Sequence, residues 1–265
     1  MRSIVLRFAA FASSGLIIAC GIYPGEQRAA WRDEAEKACV RSGYVQPSAK
    51  IVAVEPIGNY GCGMSYPYKV AELPQSRVAL SKPATMACQM VPALDAWVKD
   101  VVQPAAQQNF GTAVVEIETA GSYSCRRING SYSMSEHSFG NAFDVTGFKL
   151  ADGRRVKVGK GYVASENTFQ MSANSYKQQK PREEWEQLVL DSLGEGDGGP
   201  GDNSYQVASS RPVPLPQGQD FAFLDEVRQG ACSDFATVLG PGQADHEDHL
   251  HVDLAHRKSG KRVCK

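Results

Sequence analysis

The chain has 265 residues, room for one generous domain or two small ones, and its 42% hydrophobic content, with 10 Tyr, 10 Phe and 3 Trp, can fill a globular core. A formal net charge of −1 argues against a protein that holds nucleic acid by bulk electrostatics. Past the N-terminus there is no apolar run of about 18 residues, so no internal transmembrane helix is expected.

The chain opens on MRSIVLRFAAFASSGLIIAC, in which Arg2 and Arg7 precede a short apolar run that ends in small residues. That is the pattern of a secretion signal, assigned to residues 1–19. Ile17-Ile18-Ala19-Cys20 resembles a bacterial lipobox, whose cysteine becomes the lipidated N-terminus; the alternative is an ordinary signal peptide cleaved nearby. The apolar run stops at Cys20 and a Gly-Ile-Tyr-Pro-Gly tether follows, which favours the lipobox. Lipid on Cys20 ties a soluble domain to a membrane surface without spanning it. The expected location is therefore periplasmic, as an exported lipoprotein of the outer membrane that meets the membrane through its anchor only. With Cys20 set aside, six cysteines remain: Cys39, Cys62, Cys88, Cys125, Cys232 and Cys264. An even number suits three disulfides in an oxidising compartment, and the spacings leave the pairing open. None forms a CxxC pair, which disfavours a zinc ribbon or a thioredoxin-like site.

Residues 21–30 read as tether, and AWRDEAEKACV, from Ala30, as a short helix with its charges on one side. The anchored segment is assigned to 20–37 and the folded domain to 38–265. KIVAVEPIG suits a short strand and YGCGMSYP a loop. Pro83 predicts the start of a long helix whose stripe of Met86, Met90, Leu94, Trp97, Val98 and Val101 faces a core. TAVVEIETAGSYSC is a β-branched run that predicts a strand ending at Gly121. NAFDVTGFKLADGRRVKVGKG predicts a hairpin turning at Asp152-Gly153. KPREEWEQLVLDSLG predicts a further helix, and the Gly/Pro-rich residues 194–219 a long surface loop. The segment beyond is too short for a core of its own, and in it DFAFLDEVRQGA predicts a helix opened by Asp220.

Four of the five histidines, His246, His249, His251 and His256, lie in ADHEDHLHVDLAH; the fifth is His137. Read as a strand, DHLHVDL puts His249, His251 and Asp253 on one face and Leu250, Val252 and Leu254 on the other. Ala142, Asp144 and Thr146 alternate in the same way with Asn141, Phe143 and Val145. Imidazoles and a carboxylate are the ligands of catalytic zinc, with the fourth position left to water. Each element has a plainer reading: a lone surface or core histidine at His137, a solvated polar turn or adventitious metal binding at DHEDHLH. Ser135 beside His137 raises serine catalysis, but no G-x-S-x-G elbow is present. Apolar residues interleaved with the histidines favour a built site, because a solvated tract has no need of them.

The blocks SYSCRRINGSYSMSEHSFGNAFDV and CSDFATVLGPGQADHEDHLHVDL resemble the two signatures of the bacterial extensin-like C-terminal domain, over roughly residues 38–264. That domain is similar in turn to the LAS zinc peptidases, which include the penicillin-insensitive murein endopeptidase and D-Ala-D-Ala carboxypeptidases. The resemblance implies an α+β fold: a small central antiparallel sheet carrying the zinc site, with helices around it. It implies Zn²⁺ held by His137, Asp144 and His251, with His249 as base or transition-state stabiliser. His246, His249 and His251 are spaced as in the murein endopeptidase. Asp248 stands where the carboxypeptidases have a glutamate, one methylene shorter, and regular strand geometry would turn it away from His249. The catalytic candidates are thus His249, Asp248 and His246. Arg126, with Arg127 weaker, and Ser135 are the substrate-binding candidates, and a salt bridge is the plain reading of Arg126. The implied substrate is the peptidoglycan stem peptide or cross-link, cut by an endopeptidase, with an L,D-type bond as one option. The alternatives are a carboxypeptidase on the same site and a zinc-stabilised wall-binding lipoprotein without turnover. No nucleic-acid partner is expected, and the oligomeric state is left open.

Overall fold

The computed structural model describes residues 28–59, 61–159 and 218–265. The signal segment, Cys20, the helix expected over 180–194 and the Gly/Pro-rich stretch to residue 217 lie outside the described residues. The charge-sided segment forms α1 (Ala30–Ser42), closed by Gly43 at φ 68°, a left-handed position that glycine takes at no Cβ cost. Arg32 and Glu36 of α1 are buried, so this helix packs on the domain.

KIVAVEPIG supplies two short strands, β1 (Ile51–Ala53) and β2 (Ile57–Asn59). YGCGMSYP, expected as a loop, supplies β3 (Cys62–Met64) and the start of β4 (Pro67–Glu72). Its glycines suggested a turn, yet Gly63 serves the β2–β3 pairing, since a Cβ there would stand 1.8 Å from the Ile57 carbonyl oxygen. The helix expected from Pro83 starts later. Pro83 and Met86 lie in β5 (Ala79–Ala87), followed by α2 (Met90–Trp97), a π-helical turn (Val98–Val102) and α3 (Gln103–Phe110). Proline fits this strand because the β4–β5 register skips from Val70–Ala84 to Glu72–Ala79, and Pro83 falls in the gap of the ladder. The apolar stripe is buried along its whole length, with Met86 reaching the core from the strand.

The remaining elements are β6 (Val114–Gly121), β7 (Ala142–Leu150), β8 (Arg155–Lys157), α4 (Gln219–Asp234), β9 (Thr237–Leu239), β10 (Leu250–Asp253) and β11 (Val263–Cys264). The β7–β8 hairpin and the helix containing Asp220 match expectation. Nine strands form one sheet in the order β1-β4-β5-β6-β7-β10-β9-β11, with β8 on β7. The fold is α+β, but the central sheet is large, not small. It is mixed, since β5 runs parallel to β6 and β9 to β11. The sheet outgrew the expectation because residues read as loop and helix before Met90 are strands.

Helices cover one face of the sheet. Phe143, Val145, Phe148, Leu250 and Val252 join Trp97, Phe223 and Phe235 in a single core. Trp97 packs edge-on to Phe235 at 6.0 Å, and its indole N–H donates to the Val227 carbonyl at 3.1 Å, which fastens α2 to α4. Disulfides join Cys39 to Cys88, Cys62 to Cys125 and Cys232 to Cys264, so all six expected cysteines are paired. No helix among the described residues is long and apolar enough to cross a membrane.

Candidate metal centre

In the antiparallel pair β7–β10, His251 lies opposite Asp144 and Val252 opposite Phe143. Directly opposed residues share a face of the sheet. Phe143, Val145, Leu250 and Val252 therefore enter the core, while Asp144 and His251 share the face turned away from it. This is the period-two alternation read in the sequence. The third group, His137, sits on a 3₁₀ turn (Glu136–Phe139) just before β7.

That turn is over-determined. Ser135 caps it, its hydroxyl accepting the His137 N–H at 3.3 Å. Gly140 closes it at φ 59°, where a Cβ would lie 2.1 Å from Met64 Sδ and 2.9 Å from the Ala87 nitrogen; only glycine fits. Asn141 donates to the Glu136 carboxylate at 2.7 Å and to the Leu254 carbonyl at 2.9 Å. Arg32 of α1 grips Glu136 through two bonds of 2.8 Å, its guanidinium 3.7 Å above the Phe139 ring.

His137 Nε2, Asp144 Oδ1 and His251 Nδ1 form a triangle with edges of 3.2, 3.1 and 2.9 Å. Three ligand atoms about 2 Å from one tetrahedral centre stand roughly 3.3 Å apart, so the donors fit one ion with a corner left open. The tautomers suit this as well. His137 Nδ1 donates to the Ser122 carbonyl at 2.5 Å, which leaves Nε2 bare. His251 Nε2 donates to the Asp253 carboxylate at 3.3 Å, directing Nδ1 into the triangle. This buried His-Asp-His group could hold a metal ion. Burial opposes charge on Asp144, but the imidazoles of His137 and His251 beside it outweigh burial and hold the carboxyl well below the usual range. Burial likewise opposes charge on His251, and bonds to Asp144 and Asp253 raise it to about 9. In the metal-free protein a proton on His251 thus occupies the place between the donors.

The proposed catalytic residues adjoin the triangle. His249 Nε2 is 3.7 Å from Asp144 Oδ1, and its Nδ1 donates to Asp248 at 2.9 Å. Regular strand geometry would have separated Asp248 from His249, but β10 begins only at Leu250, so the two meet. The His246 ring lies 5.0 Å from that of His249 and 5.6 Å from that of His251; its Nδ1 donates to the Ala244 carbonyl, and burial lowers its pKa. Ser135 is buried in the cap of the His137 turn and has a structural task there. Arg126 is exposed and its backbone is bonded to Ser138 and Ser135 of that turn, which leaves the guanidinium free of partners among the described residues. Arg127 bridges to Met134 through its backbone. Sequence reasoning placed Asp253 beside the histidines but missed its task of orienting His251; the two-residue spacing was the available signal. The Ser122 carbonyl left no signal in side-chain chemistry.

The two blocks that carry this geometry fall inside one family. A model of the family described as Extensin-like protein C-terminus matches residues 37–177 and 202–265. The chain belongs to this extensin-like family. No curated protein and no solved structure matches it. Within the extensin-like domain the first block supplies His137 and Asp144, the second His246, His249 and His251, and pairing of β7 with β10 joins the blocks.

Proposed function

We propose that this extensin-like protein is an exported zinc peptidase of peptidoglycan, cutting stem-peptide or cross-link bonds at His137, Asp144 and His251. The observation that carries the reading is the donor triangle with an independently held imidazole, His249, at its edge. Two imidazoles and a carboxylate with one open corner are the ligand set of catalytic zinc. Zinc bound there would polarise the scissile carbonyl and make an attacking water more acidic.

The chain's own groups handle the protons. Asp248 accepts the Nδ1 proton of His249 and so presents a bare Nε2 toward the centre. That nitrogen takes the proton of the water and returns it to the leaving amine. The Asp248 side chain is 82% exposed, so solvent weakens the pair and Asp248 acts by orientation. His246, neutral and with Nδ1 committed to Ala244, can accept from a substrate N–H but not donate to an oxyanion from Nε2.

The substrate class rests on the resemblance of both blocks to the LAS peptidases, and the export signal and lipobox agree with it. A carboxypeptidase on the same site is the second reading, favoured by the exposed Arg126, whose guanidinium has no partner among the described residues and whose fork suits a terminal carboxylate. Digestion of purified sacculi by the zinc-loaded protein, with the products identified by mass spectrometry, separates the outcomes. Loss of cross-linked dimers supports the endopeptidase, and loss of terminal D-Ala alone supports trimming. Unchanged muropeptides overturn the enzymatic reading and leave a wall-binding lipoprotein.

A further inference from the structure

Inside the first block, just ahead of the His137 turn, lies a small hairpin, residues 127–134, that the metal chemistry does not use. It is highly ordered for so short a loop. Arg127 and Met134 bridge its base, the Ile128 N–H donates to the Ser133 carbonyl at 3.0 Å, and the Ser131 N–H to the Ile128 carbonyl at 3.0 Å. Gly130 turns it at φ 70°. The order is anchored on both sides of the centre. Below the base, the Ser135 N–H donates to the Arg126 carbonyl at 3.1 Å, tying the hairpin to the His137 turn. Near the tip, Asn129 Nδ2 donates to Asp245 at 3.0 Å, and Asp245, held at φ 65°, immediately precedes His246.

All this order presents one large ring to water. Tyr132 is 92% exposed and contacts no other ring among the described residues. A rigid loop that holds an aromatic outward, beside a centre it is bonded to from two sides, is built for contact. The chemistry of the tip selects the partner. A flat ring with no apolar pocket around it among the described residues, flanked by Ser131, Ser133 and Asn129, suits the C–H face and the hydroxyls of a sugar better than a peptide side chain.

Resting on the peptidoglycan reading above, we propose that hairpin 127–134 is a glycan-gripping arm, with Tyr132 stacking on a sugar ring of the strand whose stem peptide enters the metal centre. Co-sedimentation of the full chain with purified sacculi tests this without needing turnover. Tyr132→Ala weakens binding about 3- to 10-fold, the range of an aromatic contact, and Tyr132→Phe retains it. Peptide-free glycan chains compete for the parent protein, and free stem peptide competes equally against parent and Tyr132→Ala. Equal binding of parent and Tyr132→Ala overturns the arm whether or not the protein is a peptidase, as does competition by stem peptide alone. Loss of muropeptide cleavage with binding intact overturns the peptidase and leaves the arm standing. A parent protein that does not sediment with intact sacculi refutes the arm, while the peptidase stands or falls on the muropeptides.

Discussion

His137 and His251 turn opposite nitrogens, Nε2 and Nδ1, toward the same point. Each is set by what the other nitrogen meets: the Ser122 carbonyl for His137 and the Asp253 carboxylate for His251. The ligand types and spacing were legible in the sequence, because alternation alone puts Asp144 and His251 on polar faces. The choice of nitrogen was not, since for His137 a backbone carbonyl, which side-chain patterns do not reveal, decides it. One consequence is pH-dependent. His251 is raised from 6.5 to about 9, so its contribution to metal-free stability is complete below pH 6.5 and lost as pH rises through 9. Asp144 is lowered, so its contribution is present above its ordinary value of 3.8 and lost only in strong acid. Metal uptake runs the other way, because the His251 proton must leave. Affinity should rise roughly tenfold per pH unit toward pH 9. Calorimetry in buffers of different ionisation enthalpy should read about one proton released per metal. A flat affinity profile without proton release contradicts the ligand role of His251. His249 is expected to behave differently. His249→Ala should keep its metal and lose roughly 10²- to 10⁴-fold in turnover, as for removal of a general base; metal content and rate, measured together, check it.

The turn that carries His137 depends on α1, which the sequence assigned partly to an anchored segment. Arg32 is buried with Glu136, clamped by paired bonds and stacked on Phe139. Removing the cation leaves the Glu136 carboxylate without its counter-charge beside the ligand, with the Asn141 amide still bonded to it. Arg32→Ala should cost about 3–5 kcal/mol of stability and weaken metal binding, while Arg32→Lys, which keeps charge but not the fork, should cost less. Denaturant melts with and without metal measure both; an unchanged metal affinity in a folded Arg32→Ala protein refutes the clamp. Elements with strong local signals were read correctly, such as the hairpin at Asp152-Gly153 and the strand ending at Gly121. Pro83 and the glycines of YGCGMSYP misled, because their local preferences for helix start and loop were overridden by a ladder gap and a close strand approach.

At the scale of the molecule, the large sheet brings together ligands more than a hundred residues apart, and the disulfides fix their surroundings. The number of paired cysteines was legible from an even count, but their partners were not, since pairing follows from packing of α1, β3 and α4. Cys62–Cys125 flanks the segment that offers the Ser122 carbonyl to His137, whereas Cys232–Cys264 fastens α4 to β11. Replacing either pair with serine should cost roughly 2–4 kcal/mol in chemical denaturation. Only loss of Cys62–Cys125 should also weaken metal binding; equal metal affinity in both variants contradicts that coupling.

The centre itself is tested most directly by the metal content of the purified protein, measured by mass spectrometry beside single variants. The parent and His246→Ala should carry about one zinc per chain, and His137→Ala and Asp144→Ala roughly a tenth of that or less. A parent without stoichiometric metal, or an Asp144→Ala protein that retains it, would contradict the three-ligand centre.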